Sequence, residues 1–262
     1  MKTCGNMKKI TLFFLLGLSL LFAFPIFSHA DLIKLGCDYR YWYPFTYEEK
    51  GKAKGMHVDI VRKALESLGY QIEIVSLPRK RCIISAQNGE IDGIISIAFH
   101  PELTKFLEFP QDVTQIKESS GRIMQIDHVV VTYIDNPYEF KGDIRSLPIP
   151  VRIPRGESLV ADLGKIGLKV EEANSDKQNF GKLIRDKIGV VITSSMIAEN
   201  MDLDPAFKGK FKINPTTLAS ESYHLAFSAK TRLTAAEKTY IWREIEKWRN
   251  DYVFMQQVYS QY

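Results

Sequence analysis

Residues 78–97, PRKRCIISAQNGEIDGIISI, decide the fold. Pro78 opens a helix carrying Cys82, Ile83 and Ala86, and Asn88-Gly89 stops it. Residues 91–97 then form a nearly continuous apolar strand, the pattern of a strand buried on both faces of a parallel sheet. Upstream, residues 71–75 read as another strand. Before it, Val58, Val61, Leu65 and Leu68 recur at helical spacing from His57 onward, and Gly69 stands where a left-handed cap is wanted. Residues 32–36 make an opening apolar strand. Strand, helix, strand, helix, strand is the start of a doubly wound α/β unit.

Downstream, the pattern breaks for about ten polar residues after Phe109-Pro110, and a β-rich stretch over 123–134 leads to Asn136-Pro137. The alternation then restarts, with strands over 149–153, 168–170 and 188–193 separated by helices over 158–165 and 178–187. Two similar α/β units therefore stand in series. The tail adds a strand over 223–228 and a helix opened by Thr234 and Glu237, which have the spacing of a capping box. That helix carries a packing stripe of Ile241, Ile245 and Trp248. A short amphipathic piece over 252–259 follows.

The N-terminal 30 residues have a different character. Lys2, Lys8 and Lys9 precede an apolar run over 10–27 that ends in Ser28-His29-Ala30, the layout of a secretory signal cleaved after Ala30. A single membrane-spanning helix would need a run of this length, but Pro25 and the small-residue exit favour cleavage. The chain has 262 residues, 45% of them hydrophobic, with 35 basic and 31 acidic side chains. Losing the three lysines of the signal leaves 32 against 31, a formal charge of +1. A near-neutral domain has no electrostatic footprint for nucleic acid.

Cys4 leaves with the signal and follows no lipobox, so Cys37 and Cys82 remain. In an oxidising compartment they are either a disulfide or two separately buried thiols, and their spacing matches no zinc pattern. No nucleophile motif occurs, and His57, His100, His128 and His224 lie on separate elements, so no metal or other cofactor is expected.

Two places suit ligand chemistry. Tyr39 to Phe45 packs five aromatic rings directly after the first strand, beyond the carboxyl end of the sheet where ligands bind in open α/β folds. Arg155-Gly156-Glu157-Ser158 lies between a strand and a helix, where free backbone N–H groups, a glycine and a guanidinium together suit a carboxylate or phosphate.

The order of these pieces resembles the periplasmic solute-binding proteins of the polar amino-acid ABC importers, family 3, with the type 2 periplasmic binding fold. The resembling stretches are Trp42-Tyr43-Pro44-Phe45, Gly55-Met56-His57-Val58-Asp59-Ile60, Asn88 to Ser96, Pro101-Glu102 with Phe109-Pro110, the Gly156 turn, Val190-Val191-Ile192-Thr193, and the ending Asn250-Asp251-Tyr252 to Tyr262. The resemblance implies an α/β fold of two lobes, each with a doubly wound sheet, joined by two crossing hinge strands near 126–131 and 223–227. It divides the chain into the signal, a first lobe of 31–127 with 226–262, and a second lobe of 128–225. It implies a monomer that closes over a small-molecule ligand in the periplasm and hands it to an inner-membrane ABC permease. Two other roles lie within its reach, a cyclohexadienyl dehydratase-like enzyme and a solute receptor for a sensor.

Carried over residue by residue, the resemblance puts a covering aromatic at Trp42, donors at Ser96 and Ala98, and the second-lobe anion cradle at Arg155, Gly156 and Ser158. Tyr39, Arg79 and His100 complete the expected ligand set with Ser194. Both ends implied for Cys37 and Cys82 border the cleft in this fold, so a disulfide between them is expected. Two departures bear on the ligand. Where amino-acid binders carry an arginine that clamps the α-carboxylate, the four positions read His100-Pro101-Glu102-Leu103, and the acid for the α-ammonium is replaced by Ser194. Lacking both handles, the cleft is expected to take an anionic or aromatic solute rather than a simple polar α-amino acid.

Overall fold

A computed structural model describes residues 32–115, 118–155 and 159–262. In chain order, strand β1 (Leu32–Asp38) is followed by a short hairpin of β2 (Tyr47–Glu49) and β3 (Lys52–Lys54), then α1 (Met56–Ser67), β4 (Gln71–Leu77), α2 (Arg79–Asn88) and β5 (Gly93–Ala98). Next come β6 (Leu107–Glu108), β7 (Arg122–Tyr133), β8 (Val151–Pro154), α3 (Leu159–Lys165), β9 (Val170–Ala173), α4 (Asp176–Asp186), β10 (Val190–Ser194) and α5 (Ser195–Leu203). The 18-residue β11 (Phe211–Ser228), α6 (Ala235–Asn250) and α7 (Tyr252–Tyr259) close the chain. The segments assigned to a signal lie outside the described residues. Among those described, no helix is long and apolar enough to cross a membrane.

One mixed sheet runs through the whole body in the order β4-β1-β5-β11-β7-β10-β8-β9, with β6 on β11. Its flanks are parallel, β1 with β4 and β5 and β8 with β9 and β10, as crossover helices require. Its centre is antiparallel, because β7 and β11 carry the chain from one core to the next. Residues up to Ile126 on β7 pack with Ile33, Leu35, Leu65, Ile95 and Phe227, whereas Val129 and Val131 pack with Phe180, Val191 and Phe211. A third cluster, including Val130, Val151, Ile153 and Ile192, covers the other face of the second sheet half.

Two local devices set the first core. Gly89 takes a left-handed conformation and ends α2, as its position predicts. Gly55 caps α1 at φ +118°, where an added Cβ would lie 2.2 Å from the Phe45 carbonyl oxygen; only glycine fits. That close approach draws the aromatic loop onto the start of α1.

The sequence reading misses β2 and β3 and the first two-thirds of β11. Pro215 removes a ladder donor and the flanking residues are polar, so nothing there reads as a strand. The Asn214 side chain compensates, donating to the Val130 carbonyl at 3.0 Å and accepting from the Phe140 N–H at 2.8 Å.

Candidate functional site

The site begins at the carboxyl ends of β1 and β5. Asp38 at the end of β1 accepts from the Arg40 N–H at 3.2 Å and pairs with its guanidinium at 3.3 Å. So held, Arg40 donates through Nη1 to the Arg155 carbonyl at the end of β8. The contact joins the two halves of the sheet across the cleft. Trp42 sits behind Arg40 with its ring 4.6 Å from Phe45, 5.0 Å from Tyr223 and 5.8 Å from His57. This wall is a packed aromatic cluster, with Trp42 half-buried on its cleft side.

Ser96 is the sharpest feature. It lies on β5 with φ +65°, a conformation that costs a residue bearing a Cβ about 1 kcal/mol or more. Its Oγ is 2.7 Å from Nδ1 of the fully buried His57. Burial pushes the His57 imidazole down to about 3, so it is neutral, and its Nε2 has no partner. The hydroxyl is thus aimed by an uncharged ring 39 residues away in sequence.

Asp38, Arg40, Trp42, Arg79, Ser96 and Tyr223 wall a narrow cavity. A larger one adjoins it and shares Arg79 and Ala98; Phe99, His100, Glu102 and Glu221 lie in its wall, with Asp162 of α3 from the other side of the cleft. Arg79 is half-buried at the first turn of α2 and makes no ion pair or hydrogen bond among the described residues.

The expected residues therefore separate. Trp42, Arg79, Ser96 and Ala98 come together, and His100 lines the larger cavity, although its Nδ1 accepts from the Glu102 N–H at 3.3 Å as a turn cap. Tyr39 is exposed and lines neither cavity. Ser194 is buried and its Oγ accepts from the Ile197 N–H at 3.2 Å, so that hydroxyl caps α5. Gly156 and Ser158 lie outside the described residues, and of Arg155 it is the backbone that meets the first half of the site.

The expected disulfide is corrected by the structure: Cys37 and Cys82 are free thiols. Both are fully buried between β1 and α2, and each sulfur points to a backbone carbonyl, Cys82 to Leu77 at 3.7 Å and Cys37 to Asp38 at 3.9 Å. They pack as small apolar side chains. Burial pushes both thiols up to about 12.

His57, Tyr223, Asp38 and Arg40 are site residues that sequence reasoning missed. Asp38 directly precedes the aromatic loop and Arg40 lies within it, so both are within reach of a local reading. Nothing local marks His57 as a partner of Ser96.

Residues 33–127 match the profile of the bacterial extracellular solute-binding proteins, family 3. Over that stretch the chain is similar to the family 3 solute-binding proteins. The chain is 21% identical over 168 residues to the arginine-binding extracellular protein ArtP of Bacillus subtilis strain 168, an alignment covering 62% of the chain and 60% of that relative's length. In structure it is similar to the arginine-, lysine-, histidine-binding protein ArtJ of Geobacillus stearothermophilus, with TM-score 0.64, 18% identity and coverage of 88% and 94% of the two chains. It is also similar to the GluR0 ligand-binding core in complex with L-glutamate, with TM-score 0.67, 17% identity and coverage of 89% and 99%. These likenesses show the two-lobed type 2 periplasmic binding fold. The Arg40 to Arg155 contact links the end of β1 to the end of β8, and the cavities beside Arg79 lie next to it.

Proposed function

We propose that the protein is exported to the periplasm, loses its signal after Ala30, and closes its lobes, 31–127 with 226–262 and 128–225, over a small solute that it delivers to an ABC permease. It acts as a monomer and turns nothing over. The ligand carries an acidic group and is not a simple polar α-amino acid. The observation that carries this reading is Arg79, a half-buried guanidinium without an ion pair or hydrogen bond among the described residues, in the shared wall of both cleft cavities. An anion there gains a charge-assisted bond, worth roughly 1.5–3 kcal/mol.

ArtP and ArtJ are named for basic amino acids. This chain has His100-Pro101-Glu102-Leu103 in place of the family's arginine clamp, and its Ser194 hydroxyl is committed to a helix cap. Losing both handles would cost such a ligand about two to four decades of affinity. Against an enzyme, the candidate acids among the described residues find no matched base: His100 is engaged as a turn cap and Glu102 is exposed.

Calorimetry with succinate and with glutamine, arginine and histidine tests the ligand class. Succinate is expected to bind the wild type and to lose at least tenfold in Arg79→Ala; micromolar binding of any of the three amino acids refutes it. Closure is read by small-angle scattering and by Trp42 fluorescence, and superimposable profiles with and without a saturating ligand refute the hinge.

A further inference from the structure

The two cavities beside Arg79 differ greatly in room. The one walled by Trp42, Ser96 and Tyr223 has about 10 Å³ free, the space of a single water, because Arg40 and the aromatic cluster fill it. The one on the other side of Arg79 and Ala98 has about 500 Å³. A solute whose acidic group rests on Arg79 therefore has only one direction in which to extend.

The walls of that annex describe what it accepts. Ile83, Leu103 and Val113 are apolar, and Phe99 presents a ring held edge-on by Phe109 at 5.3 Å. At its floor His224 is fully buried, with neither ring nitrogen bonded and its ring edge-on to Phe109 at 5.9 Å. Burial lowers the His224 pKa to about 4, so the floor carries no charge at neutral pH. Besides the donors of Arg79 and His100, the annex carries carboxylate acceptors. Glu221 takes the Tyr223 hydroxyl at 3.2 Å on Oε2, with His128 Nε2 3.8 Å from the same oxygen. Glu102 is exposed at the rim, and Asp162 is held by Lys165 at 2.9 Å.

We propose that this annex holds the aromatic arm of the solute, and that the ligand class is an arylcarboxylate with a hydroxyl or amino donor on the far edge of its ring. The carboxylate lies on Arg79, the ring packs against Phe99, Leu103 and Val113, and the donor reaches Glu221 or Glu102. An amphipathic arm matches an apolar wall with acceptors beyond it; a second carboxylate at that end would meet two like charges.

The inference rests on the reading that Arg79 receives an acid, and the test separates the two. Calorimetry compares 4-hydroxyphenylacetate, 4-carboxyphenylacetate and succinate on the wild type, on Leu103→Trp and Val113→Phe, which fill the annex from two walls, and on Arg79→Ala. Thermal melting checks that each variant is folded. The wild type is expected to bind 4-hydroxyphenylacetate at least tenfold more tightly than either other acid. Either filling variant should lose at least tenfold more for 4-hydroxyphenylacetate than for the shorter succinate, and Arg79→Ala should lose all three. Equal affinities on the wild type, or filling variants that bind the aryl acid undiminished, overturn the annex and leave the anion reading standing. Binding of no acid, or binding indifferent to Arg79→Ala, overturns both.

Discussion

Two histidines held neutral chiefly by burial make the fold acid-sensitive in a defined window. His57 is surrounded by Trp42, Phe45, Tyr223 and the Ser96 hydroxyl, none of them charged. Its imidazole is lowered by burial from the ordinary 6.5 to about 3, and that of His224 to about 4. Since the folded values lie below the unfolded ones, the unfolded chain binds more protons between them. Stability is therefore complete above pH 6.5 and falls as the pH drops toward the folded values. At pH 5 each ring should cost about 2 kcal/mol relative to pH 7.5, together about 4 kcal/mol, a large part of the ~5–15 kcal/mol expected of a whole domain. His57→Asn keeps a polar atom near the Nδ1 position and abolishes the titration. Urea denaturation of wild type, His57→Asn and His224→Asn at pH 7.5 and 5.0 reads the difference. Each variant should shrink the pH-dependent loss by about 2 kcal/mol whatever its stability at pH 7.5. If either variant shows the same loss as the wild type, that imidazole is not held neutral as the structure requires.

Under the proposed closure, removing the Arg40 to Arg155 bond by Arg40→Ala should raise the open population without unfolding the chain; a larger radius of gyration without ligand checks this. Native protein at pH 8 should leave Cys37 and Cys82 unreacted toward an aromatic disulfide reagent, with two thiols appearing on unfolding, because burial holds both near 12. Finding none on unfolding would show that the two are bonded. Thr234→Ala breaks a capping box in which Glu237 accepts from the Thr234 N–H at 2.7 Å and Thr234 Oγ1 from the Glu237 N–H at 3.2 Å. It should cost about 1 kcal/mol, read as a lower melting temperature.

What could be read from the sequence follows from range. The buried strand, expected at 91–97 and found at Gly93–Ala98, the stop at Gly89 and the aromatic loop are local patterns, and each appears within two residues of where spacing puts it. β11 is legible only in its last third, because its apolar end at Tyr223 to Phe227 alternates while its first part depends on Asn214 bonds to a strand 84 residues earlier. The site splits in the same way. Trp42 and Arg79 sit beside strong local signals. His57 becomes a site residue only when β5 docks beside β1 under α1, a contact no window of sequence contains. Ser194 shows the converse: position alone makes it a ligand group, and its own helix claims the hydroxyl.

The two crossing strands are unequal in slack. Between its pairings with Val131 and His128, β11 runs from Ile213 to Ala219, six steps of chain against three on β7, with the register slipping twice. A rod and a loosely gathered cord thus span the same gap. In the proposed closure, the taut strand would serve as the doorpost and the gathered one would take up or release length, giving the swing a preferred side and a mechanical limit. Stiffness in such a hinge belongs to β7, and reach belongs to the folds in β11.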